Sequence, residues 1–193
     1  MTSDSNDSRQ TSILRAASSA FAAYGFRKTS MNDIADGAGM SRPAVYLHYK
    51  NKNDIYRSLI QLYYNQAADG LKTVFDAGKP VAETLRNAFD AQFGDMLEDV
   101  LASAHGMELL DTAEKTAADV KEAGEARLHD LYSDWLRHEA EQGRILLPET
   151  AEQIAEVILV GLKALKTTVS SVPELRTKLA AYASLIGRGL EAA

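Results

Sequence analysis

Between Ser30 and Pro43 the chain starts a helix, stops it and starts another, and that rhythm constrains its fold more than any other feature. Ser30-Met31-Asn32-Asp33 is an N-cap followed three residues on by a carboxylate, the reciprocal arrangement that opens a helix. Gly37 and Gly39 cut the helix short, and Gly39 can take the left-handed backbone that a tight turn requires. Ser41 then caps a second helix, with Pro43 in its first turn, where a missing N–H does little harm. Ile34, Ala35, Ala38 and Val45 are small or apolar and pack the two helices together. Ser41, Arg42, Ala44, Tyr46 and His48 carry short or polar groups able to face a groove. This is the pattern of a helix-turn-helix, whose second helix enters the DNA major groove with its N-terminal residues nearest the base edges.

The rest of the chain reads as helix as well. Ile13, Ala17, Phe21 and Tyr24 recur at steps of three and four, which predicts a first helix from Asp7 or Ser8 to Tyr24, ended by Gly25. Asn51 and Asp54 open a helix running through Ile55, Leu59, Leu62 and Tyr63 towards Phe75. Pro80 opens one that carries Leu85, Phe89, Phe93 and Met96. A less regular stretch from Glu98 to Lys115 precedes a long helix ending near Gly143. Thr150 with Gln153 and Ser171 with Glu174 cap the last two. Strand-like alternation and hairpin turns are absent, so the expectation is an all-α chain of about nine helices.

Charge is unevenly distributed. The net charge is −6, yet the first sixty residues hold eight Lys and Arg against five Asp, a net of +3, which leaves −9 for the remainder. A basic head on an acidic body would approach a phosphate backbone head first. With no cysteine there is no disulfide or thiolate chemistry. No run of eighteen apolar residues and no basic-then-apolar leader occurs, so the expectation is a cytoplasmic protein with no membrane partner. No nucleophile–base pairing, Gly-rich phosphate loop or metal-spaced cluster appears; the expectation is no catalytic residue, no metal and no cofactor.

The pattern Ile13…Ala16-Ala17…Phe21…Gly25…Thr29…Ile34-Ala35…Ala38-Gly39-Met40-Ser41…Tyr46…His48-Tyr49-Lys50…Lys52 resembles the N-terminal domain of TetR-type regulators over about fifty residues. Met40 and Tyr49 stand where Val and Phe are usual, and Asn53-Asp54 replaces the common acidic pair. The resemblance implies a disordered tail over 1–6, a DNA-binding domain over 7–67, and an effector-binding and dimerisation domain over 68–193. It places Ser41, Arg42, Pro43, Ala44 and Tyr46 on the recognition helix, Arg42 reading a base or a phosphate. Thr29 and Ser30 would contact phosphate through hydroxyls and backbone N–H groups. Lys50 and Lys52 would contact phosphate, His48 is either a phosphate contact or a solvated helix end, and Tyr49 is either core or contact.

Dimerisation has a separate indication. The helix from 150 to 169 is apolar on more than one face, and a second buried face implies a second partner. Ile154, Val157, Ile158, Gly161, Leu162 and Leu165, with Leu179, Tyr182 and Ile186 of the last helix, are the candidate homodimer interface; the alternative is a central helix buried within one chain. Phe89, Phe93, Met96, His105, Met107, Tyr132 and Trp135 are either a ligand pocket or plain core. His138 falls on the Leu131–Trp135 face and reads as a buried histidine. The implied function is a ligand-responsive regulator, more often a repressor, of a palindromic operator. An all-helical enzyme and a DNA-architecture protein without a ligand are the competing classes.

Overall fold

The computed structural model of the chain describes residues 3–169 and 171–191, the side chains of residues 3–7 and 95–97 excepted. Among them lie nine helices: α1 (Ser3–Tyr24), α2 (Met31–Gly37), α3 (Arg42–Tyr46), α4 (Lys52–Phe75), α5 (Val81–Ala102), α6 (Gly106–Thr116), α7 (Ala118–Glu141), α8 (Ala151–Thr168) and α9 (Val172–Leu190). One isolated antiparallel bridge, Ile145 to Glu191, is the sole strand-like pairing among the described residues. The fold is all-α, as the periodicity predicts. Helix α1 begins at Ser3, ahead of the expected start, so the expected tail over 1–6 is corrected for residues 3–6. The stretch 3–8 has no apolar residue from which a period could be counted; Met1 and Thr2 lie outside the described residues. Helix α5 is broken at Gly94 (φ 53°, ψ 166°), a backbone state that glycine alone adopts without strain.

The chain forms two compact units that are not consecutive in sequence. The first joins the chain up to Tyr63 to Asp99–Glu122; the second joins Tyr64–Glu98 to the chain from Ala123 onward. A sequence reading that cuts the chain once, near residue 67, misses the return of the 99–122 segment.

In the first unit, Ile13, Ala17 and Phe21 of α1 pack with Ile34, Ala35, Val45, Ile55 and Leu59, all buried. Phe21, Phe26 and Tyr56 form a ring triad with centroids 5.2–5.5 Å apart, and the Tyr56 hydroxyl donates to the Leu109 carbonyl. Arg57 grips Asp119 through two hydrogen bonds of 2.7 Å and also donates to the Thr116 carbonyl at 2.9 Å. The guanidinium holds the Asp119 carboxyl down to about 2.

In the second unit, Phe75 stacks on Trp135 at 4.9 Å and meets Tyr132 edge-on at 5.3 Å. The buried line of α7 is Leu128, Tyr132, Trp135, Leu136 and Glu139. His138 lies off that line and is exposed, which corrects the expected buried histidine. Glu139 takes the buried place instead and is held by Arg144 through bonds of 2.6 and 2.7 Å.

Candidate nucleic-acid interface

The helix-turn-helix forms as its caps require. Ser30 caps α2 by a full reciprocal box: its hydroxyl accepts from the Asp33 N–H at 3.3 Å while Asp33 accepts from the Ser30 N–H at 2.7 Å. Those bonds from Ser30 lower the Asp33 carboxyl below its ordinary range. Gly39 takes the turn at φ 64°. The Ser41 hydroxyl accepts from Ala44 N–H at 3.3 Å and opens α3, with Pro43 in its first turn.

Helix α3 is anchored on one side and bare on the other. Val45 is fully buried and Tyr49, just beyond, is 9% exposed, so Tyr49 is core, and burial raises its hydroxyl above the usual range. Ser41, Arg42, Pro43, Tyr46 and Lys50 are exposed, and Ala44 and His48 half-buried. Arg42 donates to the Tyr46 hydroxyl at 3.2 Å, its guanidinium 5.4 Å from that ring's centroid. The sequence reading missed Leu47, which is 84% exposed beside them. A leucine at the end of a short apolar pattern reads as core, and only the register of α3 turns it outward.

One expected phosphate contact ahead of α2 is corrected. Thr29 is buried, its hydroxyl bonded to the Gly25 and Ala20 carbonyls at 2.8 and 3.2 Å and its N–H to Gly25. It closes the α1–α2 connection and presents no donor. Ser30 is exposed, but Asp33 accepts from both its N–H and its hydroxyl. Lys52 is corrected likewise: its ammonium donates to the carbonyls of Phe26, Arg27 and Thr29 at 2.7, 3.0 and 2.9 Å, 4.7 Å from the Phe26 ring centroid. All its protons face protein acceptors, and burial lowers it below the ordinary lysine range. From the other side, Glu108 of α6 accepts from the Arg27 N–H at 3.0 Å and lies 3.4 Å from His105 Nδ1.

The expected ligand set does not form one pocket. His105 and Met107 belong to the first unit, and Met107 is 65% exposed. Phe89, Phe93, Tyr132 and Trp135 are packed core of the second unit, and the Met96 side chain lies outside the described residues. A cavity of about 290 Å³ lies instead within the second unit, lined by residues that include Tyr64, Gln92, His129 and Lys163. Sequence gave no signal for it, because its polar residues come from four helices.

Of the candidate dimer residues, Ile158, Leu162 and Leu179 are buried within their own chain, which corrects their place on an outer face. Ile154, Gly161, Leu165, Tyr182 and Ile186 are half-buried and Val157 is 56% exposed. Among the described residues no helix is long and apolar enough to cross a membrane.

An anchored, outward-facing helix after a tight turn, within a first sixty residues of net charge +3, is the helix-turn-helix of a DNA-binding domain. Residues 13–59 match the family described as bacterial regulatory proteins, tetR family. The chain is 30% identical to the HTH-type transcriptional activator FasR of Mycolicibacterium smegmatis over 72% of its length and 66% of that protein's. It is also 30% identical to the HTH-type transcriptional repressor KstR2 of Mycobacterium tuberculosis, over 45% of its length and 44% of the relative's. It thus spans less than two thirds of either relative. A solved TetR-family structure from Mesorhizobium loti superposes over 100% of both chains with a TM-score of 0.73 at 16% identity, a likeness of fold. The chain belongs to the TetR family.

Proposed function

We propose that this chain is a cytoplasmic transcriptional repressor that binds a palindromic operator as a homodimer and is released by a small effector held in its second unit. The carrying observation is helix α3, where Val45 fixes the inner side and Arg42, Tyr46 and Leu47 stand together on the outer one. Arg42 reads a base edge or a phosphate, Ser41, Pro43 and Ala44 line the groove, and Lys50 and His48 meet the backbone.

The dimer reading is supported by a second apolar stripe on α8. Ile154, Val157 and Leu165 lie apart from the core-facing Ala155, Ile158 and Leu162, and α9 adds Leu185, 71% exposed, with Ile186. Two unpartnered apolar faces on adjacent helices suit a self-complementary four-helix contact. Leu185→Glu is expected to convert a sedimenting dimer to monomer; an unchanged dimer would place the contact elsewhere.

Selection of bound genomic fragments tests the whole reading. The expected result is a palindrome whose half-sites lie about 34–36 Å apart, one helical turn. Sequence-blind binding that disappears with salt would sink it. A second reading, activation, is favoured by the longer match to FasR, which is described as an activator. Transcription in vitro from the selected promoter, with and without the protein, separates the two.

A further inference from the structure

We propose that the cavity of the second unit receives a small uncharged carbonyl compound, a ketone, ester or amide on a short apolar stem, whose carbonyl oxygen accepts from the Gln92 side-chain amide. The inference deepens the effector reading above and rests on it only for the regulatory consequence of binding.

Gln92 of α5 lines the cavity and is only 4% exposed. Its amide oxygen accepts from the Tyr132 hydroxyl at 3.1 Å, and its N–H2 has no partner among the described residues. No fully enclosed side-chain nitrogen or oxygen among the described residues lacks a partner, so that N–H2 opens on the cavity. Tyr132 is fully buried and meets Phe75 edge-on at 5.3 Å, so the direction of the amide is set before a ligand arrives. A buried donor left unbonded is unfavourable, and an acceptor on the ligand relieves it.

Depth decides the charge of the ligand. Among the described lining residues the buried ones are Tyr64, Gln92 and Leu128, and none of them brings an ammonium, a guanidinium or a carboxylate. The charged residues lie nearer solvent: Glu156 and Lys163 are exposed, and Glu125 and Lys166 half-buried. Two carboxylates and two ammoniums leave no net charge to draw in an ion, and Lys163 lies 3.8 Å from Glu125. An ionic head group carried to the buried end would lose its water with no counter-charge among the residues there. An amine would also set donor against donor at Gln92, whereas a carbonyl oxygen meets the amide without either cost. The stem has an apolar wall in Leu128, Leu159 and the ring of Tyr64, which lies on Gly124 so closely that a β carbon there would overlap it. The volume, about 290 Å³, is at the small end of ligand sites, which run from roughly 300 to 1,000 Å³, so the ligand is short.

2-Heptanone, 1-heptene, heptylamine and sodium heptanoate, each titrated calorimetrically into the full chain, test this. 2-Heptanone is expected to bind more tightly than the other three, and Gln92→Leu to weaken it about tenfold. The infrared carbonyl stretch of bound 2-heptanone reads the same contact without a mutation. In the wild type it is expected below its position in hexane, because a hydrogen bond to the oxygen weakens the C=O bond. A hexane-like stretch in the wild type overturns the assignment whether or not Gln92→Leu folds. So does an unchanged affinity in a folded Gln92→Leu, or binding of 1-heptene, heptylamine or heptanoate as tight as that of 2-heptanone. Selective DNA binding without 2-heptanone binding overturns the cavity assignment alone. 2-Heptanone binding with these dependences, but without selective DNA binding, supports the cavity assignment and sinks the regulator reading.

Discussion

Tyr182 of α9 lies across Gly161 of α8, its hydroxyl donating to the Val157 carbonyl at 2.9 Å, and a β carbon on Gly161 would overlap that hydroxyl. The glycine is therefore the seat of the tyrosine. Alanine favours a helix over glycine by about 1 kcal/mol, yet Gly161→Ala must displace the ring, and overpacking of that kind destabilises by about 1–3 kcal/mol. Gly161→Ala is expected to lower stability in urea denaturation, and adding Tyr182→Ala is expected to remove the penalty, a coupling of about 1 kcal/mol or more. Strictly additive losses would show that the two residues do not share the space.

Lys50 and Lys52 are two positions apart and have different roles. Lys50 is exposed with a free approach to phosphate, whereas Lys52 donates to three carbonyls around the α1–α2 connection. Lys50→Ala is expected to weaken binding to every DNA sequence and lower the slope of log affinity against log salt by about one. Lys52→Met is expected to lower the melting temperature and operator affinity while leaving that slope unchanged. A slope that falls for Lys52→Met with wild-type melting would return Lys52 to the phosphate contacts.

The Arg57–Asp119 pair sets a pH dependence with a definite sign. The Arg57 hydrogen bonds hold Asp119 at about 2, below the 3.8 of an unperturbed aspartate. A carboxyl lowered on folding contributes stability that is complete above the unfolded value and is lost as pH falls through the folded one. The stability gap between the wild type and Asp119→Asn is therefore expected to be constant at neutral pH and to close between about pH 4 and pH 2. Both groups are exposed, so the gap should also shrink in high salt. Urea midpoints across that range measure it, and a gap that stays open at pH 2 would assign the difference to something other than the ion pair.

Much of this was legible from local chemistry. The caps at Ser30, Ser41, Thr150 and Ser171 all form, and Gly25 and Gly39 take the left-handed turns assigned to them. Those signals are short-range and need no knowledge of the fold. What failed depends on partners distant in sequence. Lys52 reads as a surface cation until the chain brings the Phe26, Arg27 and Thr29 carbonyls to it. Phe89, Phe93, Tyr132 and Trp135 read equally as pocket or core, because an aromatic on an apolar face looks the same whether its neighbour is a ring or a void. Gln92 gave no signal at all, since a glutamine inside a helical pattern acquires meaning only from Tyr132 and the cavity beside it.

On the proposed reading, Arg42 is the side chain that meets a base edge or a phosphate. Its guanidinium rests on Tyr46, bonded to the hydroxyl at 3.2 Å and 5.4 Å from the ring centroid, which holds an otherwise mobile side chain on the outer face of α3. A bidentate Arg on a base edge discriminates by about 1–3 kcal/mol, whereas a phosphate contact is blind to sequence. Arg42→Ala is thus expected to cost about 1–3 kcal/mol on the selected operator and to relax preference at one position in each half-site. Tyr46→Phe removes the hydroxyl but keeps the ring, and should produce a smaller loss at the same position. Binding constants on an operator and its single-base variants decide the matter. Equal losses across all variants would make Arg42 a phosphate contact, and a Tyr46→Phe effect at a different position would separate the two side chains.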